Sequence, residues 1–350
     1  MSSYYKCSFF EQDEKLDFKN FIVHQKELLM NEIYNDGKIS FSVKDVEYFC
    51  SFEKQKSFDS NKPTLLIPIK DNLKLISYTI DNLRNKEVLR HANVVIIDDR
   101  SEEDIKTCVL SNELSYLRVD NNKGFNFSML NNIAAKICFI LGAKDIVLWN
   151  SDLWAPDSET FPELLTKHKQ AGSKISGTKL LYPPLSISLD KTIDTKNIKK
   201  TFPNLMNGKW RETVQFGGDL WTPVSGVMKL APGHNKRFSR KDNPLVNCNK
   251  GVHFVTGAFQ IWDLLFFISI GGLNPSLSKN FQDVDICLRS VESGDIYPNY
   301  FGKNIFLYHD ESLNMHNLAN EKKNDNQMIS DHHLFAKLWN DKITKIVWGI

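Results

Sequence analysis

TLLIPIKDNLKLISYTIDNLRNKEVLRHANVVIIDD, residues 64–99, is the stretch that decides the fold. It opens on Thr64–Ile69, a short apolar run of the kind a strand buried on both faces shows. Lys74–Arg84 then fits an amphipathic helix, and Val94–Ile97 is a second buried run that ends on Asp98 and Asp99. The rhythm continues towards the C-terminus. Ser101, with Asp104 three residues on, reads as the cap of a further helix. Leu117–Val119 is a short strand, Asn126–Leu141 a helix, and Asp145–Trp149 (DIVLW) a strand that ends at Asn150-Ser151-Asp152. Glu159–Ala171 is helical again and Lys174–Leu181 is another strand. Strands alternating with helices of about 10–15 residues indicate βαβ units and a parallel sheet. In open α/β sheets, ligands bind beyond the carboxyl ends of the strands. Two of those ends carry acids here.

The flanking regions are less regular. Residues 1–60 form an expected N-terminal extension, with helical spacing over Phe18–Tyr34 and strand character over Ile39–Phe49. Residues 183–250, rich in Pro, Gly, Asn, Lys and Trp, are too long for a plain connection and read as a functional loop region. Beyond them, Val252–Ile261 reads as a strand, Trp262–Ile270 as a helix, Asp283–Ser293 as a helix, Asn304–Tyr308 as a last strand, and 325–350 as a terminal helix and tail. The expected division is an extension over 1–60, one α/β domain over 61–320 and a C-terminal segment over 321–350.

Composition narrows the class. The chain has 350 residues, 41% hydrophobic and 25% charged, which excludes a disordered chain, a collagen and a long coiled coil. Lys plus Arg minus Asp plus Glu is 44 − 42 = +2, so no overall charge draws it to nucleic acid. Six scattered cysteines with no CxxC pair indicate reduced thiols. The N-terminus lacks a secretory signal pattern, and the longest apolar run, Leu264–Gly272, is too short for a bilayer span. The expectation is a cytoplasmic protein, compatible with peripheral contact at the inner face of a membrane.

The Gly-rich phosphate signatures GxGxxG and GxxxxGK[ST] are absent, as are HExxH and GxSxG. Acids at strand ends stand in their place: Asp98 and Asp99 after one strand, Asp152 after another. Such carboxylates can accept hydrogen bonds from a base or ribose and can hold a divalent cation against a diphosphate. They can equally cap the next helix. In FQDVDICLR, Asp283 and Asp285 lie about 200° apart on a helix, so they face differently. Arg289, four residues after Asp285, stands at ion-pair spacing, which makes a structural pair the plain reading for Asp285. His309 in FLYHDES follows a short strand and reads either as structural or as a metal ligand together with Asp152.

Taken together and in order, TLLIPIKDN, VVIIDDRSEED, NNKGFNFSMLNNIAAK, DIVLWNSDLWAPD, GTKLLYP, VTGAF, GGLNPSLSKNFQDVDICLR and FLYHDES resemble glycosyltransferase family 2 over about residues 62–315. NFSMLNN is similar to the branch that builds bacterial polysaccharides such as O-antigens, rhamnans and capsules. The resemblance implies a GT-A fold, with a Rossmann-like mixed sheet flanked by helices. It also implies inverting transfer of a sugar from a UDP- or dTDP-sugar to a hydroxyl of a growing polysaccharide or lipid-linked glycan. By the same resemblance, Pro68 and Lys70 meet the base, Asp99 recognises it, and Gly124 and Asn131 belong to the covering loop and helix. Ser151 and Asp152 lie in the family's DXD position, with Asn150 where the first acid would be. Asp152 and His309 would bind Mn²⁺ or Mg²⁺, and Asp283 would be the catalytic base, preceded by Gln282 where the family has Glu. Gln282, Asp285, Arg289 and Trp221 are candidate acceptor or supporting residues. Lys179 and the basic loop His234–Lys241 are candidates for an anion, the loop reading equally as solvated surface. Trp149, Trp154, Trp210 and Trp221 could stack on sugars or pack in the core. A homo-oligomer or a partner transferase is compatible with the resemblance. Two rivals share the fold: a nucleotidyltransferase, which would need a Gly-rich loop absent from Ile69–Asn72, and a non-catalytic glycan- or nucleotide-binding scaffold.

Overall fold

The computed structural model describes residues 38–43, 46–55, 57–121, 124–189, 210–294, 296–311 and 323–349. Phe18–Tyr34 lies outside them. In chain order the strands are β1 (Lys38–Val43), β2 (Val46–Glu53), β3 (Thr64–Ile69), β4 (Asn93–Asp98), β5 (Ser115–Asp120), β6 (Asp145–Trp149), β7 (Leu153–Trp154) and β8 (Ile175–Thr178). They continue with β9 (Leu180–Leu181), β10 (Val214–Phe216), β11 (Asp219–Pro223), β12 (Leu230–His234), β13 (Asn249–Gly251), β14 (Phe259–Asp263), β15 (Asn299–Phe301) and β16 (Leu307–His309). The helices are α1 (Leu73–Asn85), α2 (Val88–His91), α3 (Ile105–Ser111), α4 (Phe127–Ile140), α5 (Thr160–Gln170), α6 (Leu264–Ser269), α7 (Gln282–Gly294), α8 (Lys323–Trp339) and α9 (Ile343–Trp348).

The architecture is mixed α/β, as expected. A ten-stranded sheet runs β1-β2-β5-β4-β3-β6-β14-β8-β15-β13, with β5, β4, β3 and β6 parallel at its centre. Beyond β6 the direction reverses, because β14 pairs antiparallel with both β6 and β8. The inner strands β3 and β4 are apolar through their middles because both faces are covered, and they are buried at every position. Helix α1 buries Leu75, Ile76, Thr79, Ile80 and Leu83, one helical stripe. Helix α4, almost wholly buried, packs on β3, β4 and β6. The start of α1 is set by Asn72, whose side chain accepts from the Leu75 N–H at 3.1 Å, and that of α4 by Asn126, which accepts from Met129 N–H at 3.0 Å.

Several boundaries differ from expectation. Ile39–Phe49 is two strands of a hairpin, and β2 pairs with β5, so this hairpin extends the main sheet. Ser101 does not cap α3; Asp104 does, accepting from Thr107 N–H at 3.0 Å. Ser101 Oγ instead accepts from Asp71 N–H at 2.7 Å and ties together the loops leaving β3 and β4. Trp262 belongs to β14, and α6 starts after Asp263, whose carboxylate accepts from Phe266 N–H at 2.8 Å. Lys174–Leu181 breaks at Lys179, where the chain passes from the main sheet into a second one ordered β10-β9-β16-β7. From residue 210, the described part of the irregular stretch holds β10 to β12 and the start of β13.

Lys179 explains that break and corrects its reading as a phosphate ligand. Its ammonium donates to Lys241 O at 2.8 Å, Asn247 Oδ1 at 3.0 Å and Gly302 O at 2.8 Å. All three protons are thereby used inside the protein. Burial pushes its pKa down to about 8.

Gly177, on β8, is fixed by close packing: an added Cβ would lie 2.5 Å from Val255 Cβ. Gly177→Ala should cost about 1–3 kcal/mol in urea unfolding. Val255→Ala in the same chain should recover part of that loss; a recovery of nothing would show that the crowding lies elsewhere.

Candidate functional site

Strand order sets a topological switch point, the place where open α/β sheets bind ligands, where the central sheet changes direction of winding. From β3 the chain goes to β4 and β5 on one side, while β6 lies on the other, so the switch point falls between β3 and β6. Pairing of β3 with β6 stops at Leu66↔Leu148, while pairing with β4 runs on to Ile69↔Asp98. Pro68 therefore sits, buried, in a part of β3 that owes no ladder bond to β6. Lys70 is exposed just past the strand end.

The two acids after β4 divide their work. Asp98 is structural: it accepts from Ser101 N–H at 2.8 Å and from the Tyr116 hydroxyl, and meets Arg118 at 3.3 Å. Asp99 is anchored by its backbone, N–H to Ile69 O at 2.9 Å, and its Oδ1 accepts from Asn121 Nδ2 at 3.1 Å. Its Oδ2 is buried with no hydrogen-bond partner among the described residues. Burial lifts the Asp99 carboxyl above its ordinary value against the pull of Arg100 and Lys70. Asn121 also accepts from Gly124 N–H at 3.0 Å, and Gly124 takes φ +105°, a conformation that favours glycine. Asn131 is fully buried in α4; its Nδ2 bonds Phe127 O at 2.8 Å, and its Oδ1 has no partner among the described residues. Its neighbours on α4 hold the segment ahead of Asp283: Asn126 bonds Pro275 O, Ser128 bonds Leu277 O, and Asn132 bonds both backbone groups of Leu273.

The Asn150–Asp152 turn is joined to β14 by Asn150 N–H to Ala258 O at 3.0 Å. Ser151 is buried and its carbonyl accepts from the Thr79 hydroxyl. Pairing of β16 with β7, His309↔Leu153, brings His309 Nε2 to 3.1 Å from Asp152 Oδ1. Two ligands of one cation stand about that far apart when each bond is about 2.0–2.2 Å. Among the described residues no group of three His, Cys, Asp or Glu converges, so a cation here would complete its shell with phosphate oxygens and water, as Mg²⁺ commonly does. Burial works to lower the His309 pKa, but Asp152, with Glu311 and Asp310, together outweigh it and hold the imidazole above its ordinary value. On its other side His309 Nδ1 lies 2.9 Å from Gln215 Oε1. Gln215 Nε2 donates to Glu311 at 2.9 Å, and Arg237 donates to the same Glu311 oxygen at 2.7 Å. Gln215 and Glu311 are absent from the sequence reading. Gln215 lies in an irregular stretch with no pattern to mark it, and Glu311 could have been found only from its closeness to His309.

Asp283 sits in the first turn of α7. Its Oδ2 accepts from Gly257 N–H at 2.7 Å and its Oδ1 from Val284 N–H at 2.9 Å. Burial raises its pKa above the ordinary carboxyl value, against the lowering effect of those two bonds. Gly257 presses on it: an added Cβ would lie 3.1 Å from Asp283 Cβ. The approach to α7 is braced by α8. Asp331 accepts from the N–H groups of Lys279 and Asn280 at 3.0 Å each, and Phe281, at φ +65°, packs against His332 and Phe335. Gln282 Nε2 donates to Lys279 O at 3.2 Å, and its Oε1 has no partner among the described residues.

Asp285 and Arg289 form the structural pair that their spacing indicated. Asp285 accepts from Arg289 Nε and from Trp339 Nε1, each at 2.9 Å. Arg289 also donates to the carbonyls of Ile270 and Gly272. All its groups face the protein, which removes both residues from an acceptor site. Trp149 and Trp154 are fully buried core residues, not sugar platforms. Trp210 is buried edge-on against Tyr182. Trp221 is half-buried against His253 and Phe254, and its indole N–H has no partner among the described residues.

No family model matches the chain, and no curated protein matches it. Solved structures do. GalNAc-T7 with UDP, GalNAc and Mn²⁺ is 10% identical at a TM-score of 0.49, over 72% of this chain and 44% of that one. The mannosyltransferase PcManGT from Pyrobaculum calidifontis, with GDP-Man and Mn²⁺, is 10% identical at 0.44, over 84% and 66%. TarS 1–349 of S. aureus is 12% identical at 0.44, over 83% and 75%. The chain thus spans less than two thirds of the first two. Likeness this distant transfers neither activity nor ligands.

Replacing Arg289 by Met should leave the Asp285 charge buried and cost about 3–5 kcal/mol in chemical denaturation. A loss below about 1 kcal/mol, the scale of an exposed ion pair, would contradict the structural role given to this pair.

Proposed function

We propose that the chain is a metal-dependent, inverting glycosyltransferase on a GT-A fold. It would move a sugar from a UDP- or dTDP-sugar to a hydroxyl of a growing polysaccharide or a lipid-linked glycan. One observation carries the reading. Asp99 and Asp152 follow the ends of β4 and β6, His309 is the last residue of β16 and pairs with Asp152, and the Asn150–Ala258 bond links the Asp152 turn to the Gly257 contact of Asp283. The sequence resemblance supports the same assignment of roles.

Each residue has a distinct task in this reaction. The open oxygen of Asp99 accepts the ring N–H of a uracil or thymine base. Asp152 and His309 would hold Mn²⁺ or Mg²⁺, which would offset the charge growing on the leaving diphosphate. Asp283 takes the proton from the acceptor hydroxyl as that oxygen attacks the anomeric carbon. Its raised pKa suits a base, because a carboxylate that binds a proton more readily removes one more readily. Gln282 and Trp221 each keep a buried polar group open, which fits support of a polar acceptor. A lipid-linked acceptor would be met from the cytoplasmic side by peripheral contact. No helix among the described residues is long and apolar enough to cross a membrane.

Nucleoside diphosphate release from a panel of UDP- and dTDP-sugars should be suppressed by EDTA. Asp283→Asn should lower turnover by about 10²–10⁴ while calorimetric UDP binding is retained. Protonation silences the base, so kcat/KM should fall as pH drops through an apparent pKa above 3.8, the ordinary carboxyl value. Turnover surviving in Asp283→Asn would sink the role of this residue. No release from any donor, with UDP still bound, would favour the non-catalytic scaffold.

A further inference from the structure

We propose that Gln215, held in one orientation by Glu311, is a positioning residue that presents His309 Nε2 beside Asp152 as a cation ligand. The inference deepens the metal-dependent reading above and rests on it. Its basis is the direction that each hydrogen bond must take. The Glu311 carboxylate, paired with Arg237 at 2.7 Å, only accepts. The group that Gln215 turns towards it at 2.9 Å must therefore be the amide NH₂. That leaves the amide oxygen facing His309 Nδ1 at 2.9 Å, and an oxygen there can only accept. Nδ1 must then carry a proton whatever binds on the other side, so Nε2, 3.1 Å from Asp152 Oδ1, is the nitrogen that can take a cation, which would displace the proton Nε2 shares with Asp152.

The surroundings hold this chain of bonds in place. Gln215 is 1% exposed, so water does not compete for its amide. It sits at the middle of β10, and its own carbonyl lies 2.9 Å from His234 Nδ1. Arg237 is fixed in turn, donating to the Tyr182 hydroxyl as well as to Glu311. Partners of this kind set the ring orientation and tautomer of a metal-binding histidine, and their loss commonly costs about 10–100-fold in metal affinity.

The test is Mn²⁺ binding to the full chain in the presence of UDP, read from the electron paramagnetic resonance signal of free Mn²⁺. Gln215→Leu should weaken Mn²⁺ binding by about 10–100-fold and leave UDP binding in EDTA unchanged. Glu311→Gln keeps the shape but removes the charge that orients the amide, and it should also weaken Mn²⁺ binding. If Gln215→Leu loses its fold by circular dichroism, Glu311→Gln decides. Variants that bind Mn²⁺ as the parent does would overturn the role of Gln215 and leave the transferase reading intact. A parent chain that binds no Mn²⁺ with UDP would overturn the cation site, and this inference with it.

Discussion

The pairing of Trp149 with Phe259 is the contact on which the site depends. It is the last rung of the antiparallel ladder between β6 and β14, and Asn150 N–H to Ala258 O carries the ladder one step past it. On one strand the next residues are Ser151 and Asp152; on the other the preceding residue is Gly257, the partner of Asp283. Residues more than a hundred positions apart are therefore aligned by register alone. A slip of one residue would turn every side chain on β14 to the opposite face. The apolar side chains around the rung oppose that slip: Trp149 packs edge-on against Phe259 and Phe161, and all three are fully buried.

Around that register the acids separate into held and open groups. Asp98 and Asp285 have both oxygens committed to named donors, Asp331 takes two backbone N–H groups on one oxygen, and all three act as struts. Asp99 keeps a buried oxygen open, and Asp283 is held at its position while burial favours its protonated form. The raised pKa values at Asp99 and Asp283 and the exhausted donors at Lys179 and Arg289 point to the same distinction. On the function proposed above, Asp99 and Asp283, whose carboxyl pKa values burial raises, would serve the chemistry, while Asp98, Asp285 and Arg289 serve the architecture.

Much of this was legible in the residues. TLLIPI, NVVIID and DIVLW announce buried parallel strands by apolar runs, and the i,i+4 spacing of Asp285 and Arg289 announces their ion pair. The caps were only half legible. Asp104 and Ser101 are both good capping residues, and which one is used depends on the tertiary bond from Asp71 to Ser101. The break at Lys179 was invisible, because it is imposed by carbonyls at 241 and 302 and a carboxamide at 247, none of them near in sequence. Gln215 was invisible for the same reason. An isolated glutamine in a stretch without period has meaning only once β10 lies in one sheet with β16.

The bracing of Phe281 by α8 has a consequence for how the chain matures. A polypeptide made from its N-terminus has β3, β4, β5, β6 and β14 in hand well before Asp331, Phe335 and Trp339 emerge. Until they do, Lys279 and Asn280 lack the carboxylate that takes their N–H groups, and Phe281 has nothing to hold it at a positive φ. A nascent chain can therefore own its sheet and the strand-end acids Asp99 and Asp152 while the turn before Asp283 is still unset. Competence would arrive as a late event of synthesis, when the last long helix docks.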